Sequence, residues 1–203
     1  MSQPTNRNAR IPELGEIDRE AGEFWIENPF QVAATGHNLS AFERNRLFLN
    51  IGGEEFLDAS FASGADIDSD SRSVVAADFD GDMAQDLLVV SVGGGPARLF
   101  LNRFPRSNRL RVDLEGVDSN RPGIGSRVVA EIGDRRLVRD VFPANGAMGQ
   151  GPVELILGLG DAERVDRLSI RWPTGTTQVL TDVPAGHRIT VTEGQDAYEV
   201  AAL

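Results

Sequence analysis

Cysteine is absent from the 203 residues, which excludes a disulfide framework, thiolate metal sites and a cysteine nucleophile. Histidine is nearly absent. His37 and His187 stand far apart, so neither a zinc site nor a Ser-His-Asp triad has the residues it needs. Basic residues are in the minority, 20 Lys and Arg against 31 Asp and Glu, for a formal net charge of −11. Such a surface repels nucleic-acid phosphates and anionic lipid and attracts cations, which argues against DNA, RNA and membrane surfaces as partners. No apolar run approaches the ~20 residues that span a bilayer. The first thirty residues carry no basic-then-apolar export signal, so the expectation is a mature chain with an added Met or a chain not exported by the usual route. A sustained 3.6-residue apolar period is also missing, so few or no helices are expected.

What is present suits strands. With 22 Gly and 10 Pro in a chain 40% hydrophobic and 25% charged, the composition is that of a globular fold with many tight turns. Residues 1–23 are polar, a tail or a strap, and the cluster Phe24, Trp25, Ile26, Pro29 and Phe30 that follows is suited to anchoring that segment on a domain. An internal repeat stands out: Arg46-Leu47-Phe48-Leu49-Asn50 recurs verbatim as Arg98-Leu99-Phe100-Leu101-Asn102, 52 residues on. That period fits one propeller-like blade with its loops. Strands are predicted at Leu47–Asn50, Glu55–Ser60, Val74–Ala77 and Leu87–Val92. A second region, 108–194, alternates at Leu110–Leu114, Arg127–Ile132, Arg136–Val141, Val153–Leu157, Arg167–Arg171, Thr177–Leu180 and Arg188–Thr192. Seven short strands separated by turn residues predict a sandwich or a barrel. Residues 195–203 read as a tail.

The chemistry concentrates in Asp78-Phe79-Asp80-Gly81-Asp82-Met83-Ala84-Gln85-Asp86-Leu87. Carboxylates at loop positions one, three, five and nine supply the hard oxygens that Ca²⁺ takes six to eight at a time. The expected ligands are Asp78, Asp80, Asp82, Asp86 and the Ala84 carbonyl, with Phe79 and Leu87 turned away to pin the loop. Without an ion, four carboxylates repel each other, and nothing basic lies inside the run. Asp66-Ile67-Asp68-Ser69-Asp70 lacks the turn glycine and the ninth-position carboxylate and reads as a solvated loop. Gly93-Gly94-Gly95 has no following Lys-Ser/Thr or helix and reads as a strand-ending turn.

The acidic loop, preceded by Ser73-Val74-Val75-Ala76-Ala77, resembles the calcium loop of FG-GAP/VCBS repeats, the blades of integrin-type propellers. That family usually has Gly where this chain has Met83, which costs roughly 1 kcal/mol if φ there is positive. Farther on, Asn120-Arg121-Pro122-Gly123-Ile124-Gly125-Ser126-Arg127-Val128, Leu157-Gly158-Leu159-Gly160 and Trp172-Pro173-Thr174-Gly175 resemble the ASPIC/UnbV domain, which follows FG-GAP repeats in the cartilage acidic protein family and its bacterial relatives. The resemblance covers roughly residues 24–194. It implies an all-β chain: one FG-GAP/VCBS blade over 24–107 packed against a β-sandwich or barrel-like ASPIC/UnbV domain over 108–194. Relatives carry several repeats and this chain one, so the blade's open edges require a neighbour.

These readings imply a non-catalytic, Ca²⁺-binding interaction module, an accessory subunit or an adhesion domain, with a protein partner in a larger envelope or membrane-associated complex and no direct membrane insertion. The resemblance implies an extracytoplasmic location, periplasmic or cell-surface, and carries no established catalytic residues. The alternative is glycan recognition through an exposed Trp172 and the 145–151 loop.

Overall fold

The computed structural model describes residues 44–67, 71–91, 96–105, 107–145 and 149–201. Residues 1–23, the cluster at Phe24, Trp25 and Phe30, residues 68–70 of the second acidic run, Gly93–Gly95 and residues 146–148 lie outside them. Among the described residues strand accounts for 55% and helix for 3%, so they are nearly all β, as the turn-rich composition implies. It divides into two compact units, Met1–Val74 with Val89–Arg98, and Val75–Leu88 with Leu99–Leu203.

In the first unit, β1 (Phe48–Ile51) and β2 (Glu55–Asp58) form an antiparallel hairpin. Gly52 and Gly53 turn the chain with positive φ of 69° and 90°, a backbone that glycine adopts without a Cβ clash. The Asn50 side chain accepts the Gly53 N–H at 2.7 Å and holds the turn. The second strand was expected to reach Ser60 but stops at Asp58. The Asp58 carboxylate accepts the Ser60 N–H at 3.0 Å and its hydroxyl, and a single turn of helix, α1 (Ser60–Ser63), begins there instead. The local hydrogen bonds from Ser60 to the Asp58 side chain, two residues back, compete with the ladder.

Strands β3 (Ser71–Ala77), β4 (Asp86–Ser91) and β5 (Arg98–Phe100) form a three-stranded sheet in that order. The two copies of the pentapeptide therefore sit in different sheets, the first in the β1–β2 hairpin and the second running into β5. Over residues 44–107 the described sheets are two-stranded and three-stranded rather than one four-stranded blade.

The second unit carries β6 (Asn108–Glu115), β7 (Arg127–Ile132), β8 (Arg135–Asp140), the short β9 (Ala144–Asn145) and β10 (Gly149–Gln150), β11 (Leu155–Gly160), β12 (Arg164–Arg171), β13 (Thr177–Pro184), β14 (His187–Thr192) and β15 (Tyr198–Ala201). Two four-stranded sheets result, ordered β11-β6-β14-β15 and β13-β12-β7-β8. All pairings within them are antiparallel except β6 with β14, which is parallel. Alternation does the work here. Leu110, Val112, Leu157 and Ile189 of one sheet and Val128, Ala130, Leu168 and Ile170 of the other are all 0% exposed and belong to one core. The polar residues between them face out. Among the described residues there is no closed barrel; two four-stranded sheets contribute to one core, and that pair of sheets is called the sandwich below.

Trp172 takes the role of a core anchor at a strand end, the reading of Trp172-Pro173 that competes with an exposed sugar contact, whereas the expectation for 145–151 changes. Trp172 is 2% exposed and sits in this core, with its indole N–H donated to Gln178 Oε1 at 3.0 Å. A sugar needs an accessible ring face, so Trp172 offers no stacking platform. The 145–151 segment, expected to be a flexible loop, has paired ends: Asn145 opposite Gly149 and Ala144 opposite Gln150, with the Gly151 N–H on the Pro143 carbonyl at 2.7 Å. The C-terminal residues also contribute more than a tail. Strand β15 adds to β14, Val191 opposite Tyr198.

Candidate metal centre

The acidic run connects β3 to β4 and lies within the second unit. Asp78, at the first loop position, organises the turn. Its Oδ1 accepts the N–H groups of Gly81 at 2.7 Å and Asp82 at 3.0 Å, and its Oδ2 accepts that of Met83 at 2.9 Å. Three N–H groups can reach one carboxylate because Gly81 (φ 80°) and Met83 (φ 61°) are both left-handed. Asp86, at the ninth position, is 1% exposed. Its Oδ2 accepts the Phe79 N–H at 2.9 Å and its Oδ1 the Asn102 N–H at 2.7 Å. It thereby ties the loop to the end of the second pentapeptide copy. Asp82 Oδ1 accepts the Ala84 N–H at 2.8 Å.

Of the expected ligand set, the carboxylate oxygens of Asp78, Asp80 and Asp86 come within 4.8 Å of one another. That separation is about twice a Ca²⁺–oxygen distance, so one ion can touch all three. Asp82 stands outside this group, its Oδ1 turned to the Ala84 N–H. The donors are hard oxygens only, the chemistry of Ca²⁺ or Mg²⁺ and not of a soft metal. In this respect the residues fit the ion that the motif implies.

The electrostatic premise needs correcting. Nothing basic lies inside the run, but Arg103 Nη1 stands 2.8 Å from Asp80 Oδ2 and 3.9 Å from Asp82 Oδ2. Together with the backbone N–H donors on Asp78 and Asp86, it relieves part of the repulsion without an ion. The apolar anchoring differs as well. Phe79 is 44% exposed, whereas Met83 and Ala84 are 8% and 3% exposed. Leu87, the other expected anchor, is half-buried at the start of β4, so the difference lies at Phe79, whose place inside the loop Met83 and Ala84 take.

Met83 carries two opposed effects. Its left-handed backbone costs roughly 1 kcal/mol against glycine, while truncating a buried Met typically costs about 2–5 kcal/mol. Burial wins. Met83→Gly, although it installs the residue usual in FG-GAP loops, is expected to lower stability by about 1–4 kcal/mol net in urea titrations of the ion-free chain. An unchanged or raised midpoint would show that backbone strain dominates there.

Behind the loop, polar groups link it to the outer face of β6 and its neighbours. The Asp78 N–H reaches Glu154 Oε1 at 3.4 Å, and Glu154 Oε2 pairs with Arg111 Nη2 at 2.6 Å. Asp113 then bridges Arg111 at 3.2 Å and Arg188 at 2.5 Å. Arg109 Nη1 donates to the Asp82 carbonyl at 3.3 Å. The loop thus rests on the sandwich through named hydrogen bonds.

A second carboxylate escaped the sequence reading. Glu193 is 8% exposed. Its Oε2 accepts three successive N–H groups, Val117 at 2.9 Å, Asp118 at 3.0 Å and Ser119 at 2.7 Å. Its Oε1 accepts the Ser119 and Thr174 hydroxyls at 2.8 and 2.9 Å. Burial pushes this carboxyl up, but the Ser119 N–H and hydroxyl, the Val117 N–H and the Thr174 hydroxyl outweigh it and leave it at about 2. With five donors and, among the described residues, no converging carboxylate, it is a structural pin for the turn at 116–121. No signal in the sequence marks it, because its partners lie 19 and 74–76 residues away.

Asp66, from the second acidic run, accepts Arg44 Nε at 2.6 Å, and residues 68–70 of that run lie outside the described residues. His187 uses Nδ1 on the Ala185 carbonyl at 2.7 Å. No helix of the described residues is long and apolar enough to cross a membrane. No curated protein matches the chain. Residues 116–197, which span the sandwich from the β6–β7 turn to the start of β15, match the family described as ASPIC and UnbV.

Proposed function

We propose that this chain is a non-catalytic, Ca²⁺-stabilised interaction module, in which an FG-GAP/VCBS-type loop is carried beside the ASPIC/UnbV domain. One observation carries the reading: three carboxylates of a single loop converge within 4.8 Å on a hydrogen-bonded scaffold that two left-handed residues shape. Asp78, Asp80 and Asp86 would hold the ion, with Asp82 and the Ala84 carbonyl the remaining candidates from the motif. Bound there, Ca²⁺ supplies charge neutralisation and a rigid loop rather than reaction chemistry. Asp78 and Asp86 orient the loop backbone, and Glu154 and Arg109 hold the loop against the sandwich.

The interaction reading draws support from exposed apolar surface in the first unit. The hairpin presents Phe48 and Phe56 on one face and Ile51 and Leu57 on the other, each more than half exposed, and Phe61 beside it is 90% exposed. Apolar side chains on both faces of a two-stranded ribbon suit a surface that a protein partner covers. The role is that of an accessory subunit or adhesion domain in an extracytoplasmic assembly. The glycan alternative loses its main residue with Trp172 in the core.

Ca²⁺ is expected to raise the melting temperature of the full chain, because a ligand that binds only the folded state stabilises it by mass action. At 100-fold excess over Kd the gain is about 2.7 kcal/mol. Asp80→Ala should abolish the response, and Asp80 is chosen because it carries none of the loop's backbone N–H bonds. Identical melting curves for the wild type in Ca²⁺ and in chelator would sink the reading.

A further inference from the structure

Among the three converging carboxylates, Asp78 and Asp86 spend their oxygens on backbone N–H groups. Asp80 does not. Its described partner is Arg103, at 2.8 Å. Arg103 is placed there by the loop itself: the preceding residue, Asn102, gives its N–H to Asp86 Oδ1 at 2.7 Å and its side-chain amide to the Gln85 carbonyl at 3.2 Å. The side chain is therefore anchored through its neighbour yet 62% exposed, with Nη1 paired to Asp80 and 3.9 Å from Asp82.

We propose that Arg103 is the loop's own displaceable counter-cation, which neutralises Asp80 in the ion-free state and must leave it when a divalent cation is held, so that Arg103 sets the affinity of the site. The proposal rests on the Ca²⁺ reading above and adds its regulation. Two terms oppose the ion. The Asp80 pair must be broken, and a unit positive charge then remains on the same rim as a dication. An exposed pair contributes little, and the residual repulsion is screened by water and salt. Each term acts at the level of a few-fold. Together they make the site weaker than its carboxylate count implies and make its affinity depend on ionic strength through a local charge.

The consequence runs against the usual direction for a residue beside a metal site: removing it tightens binding. Arg103→Gln in the full chain is expected to lower the Kd for Ca²⁺ by about three- to tenfold in calorimetric titration at low salt. Arg103→Lys, which keeps the charge, should stay near the wild-type value. The gain from Arg103→Gln should shrink as NaCl rises towards 0.5 M, where the screening length is only a few ångströms. Because the tip is exposed, both variants should fold, and their ion-free melting curves report that directly. If the wild type binds Ca²⁺ and Arg103→Gln binds it equally or less tightly, the counter-cation role is wrong while the Ca²⁺ reading stands. If Arg103→Lys tightens binding as much as Arg103→Gln, charge is not the cause and the proposal again fails. If neither the wild type nor Arg103→Gln binds Ca²⁺, the Ca²⁺ reading itself falls, and this inference with it.

Discussion

Trp172→Ala is expected to cost about 3–5 kcal/mol of folding stability, the range for removing a large aromatic from a well-packed core. Trp172 follows β12 directly and is one of the largest side chains in the core that both sheets share. The backbone around it makes a tight turn: its N–H donates to the Thr176 carbonyl at 2.9 Å, and the Gly175 N–H returns to the Trp172 carbonyl at 2.9 Å. The truncation leaves a cavity under that turn and removes the donor at Gln178 Oε1. Gln178 still receives the Gly194 N–H at 3.2 Å, so the polar loss is partial and the cavity dominates. Against a typical total of 5–15 kcal/mol, a loss of that size removes a large share of the folded population's margin. Trp172→Phe keeps most of the volume and should cost less, about 1–2 kcal/mol. Urea titration of the full chain measures both. A cost below about 0.5 kcal/mol for the alanine variant is what a surface tryptophan gives, and that outcome would return Trp172 to the candidate sugar contacts.

The core of the sandwich was legible because its strands alternate. Leu110, Val112 and Leu114 in β6, or Val128, Ala130 and Ile132 in β7, are buried at every second position, and a one-residue slip would turn each row to water. Ends were less legible. The second hairpin strand stops where the Asp58 side chain captures Ser60, a local hydrogen bond that no hydrophobic pattern encodes. The same limit applies in the acidic loop. The spacing of the aspartates located the site, but the separation of roles did not follow from spacing: Asp78 and Asp86 serve the backbone, Asp80 meets Arg103 and Asp82 caps Ala84. Arg103 lies outside the acidic run and 23 residues from Asp80, so charge relief invisible in the run itself arrives from the segment that follows β5. Long-range polar partners are the part of a fold that a linear pattern conveys least.

Glu193 is the extreme case, and acid is expected to expose it. Its carboxyl sits at about 2 in the folded chain against an ordinary value of 4.5. A group whose folded pKa is depressed contributes stability that is present above the unfolded value and is lost as pH falls towards the folded one. The contribution of Glu193 should therefore be complete above pH 4.5 and decline between pH 4.5 and about 2. The physical content is a carboxylate that accepts three N–H groups and two hydroxyls at once. Protonation converts one acceptor oxygen into a donor facing donors. Asp58 and Asp140 also have lowered values, from the Ser60 hydrogen bonds and from the Arg127 pair respectively, so the whole chain loses stability in acid and the test must be differential. Glu193→Gln keeps the shape but not the charge. The stability difference between wild type and Glu193→Gln is expected to be largest near neutral pH and to shrink steadily through that window, because the protonated wild type comes to resemble the amide. Glu193→Ala should in addition strip hydrogen-exchange protection from the Val117, Asp118 and Ser119 amides, which point at the carboxylate, while the β7 and β12 amides, held by their ladder, keep theirs. A wild-type-minus-Gln difference that stays constant from pH 7 to pH 2, with those three amides still protected in the alanine variant, would mean that the turn at 116–121 stands on its own and that Glu193 is not its pin.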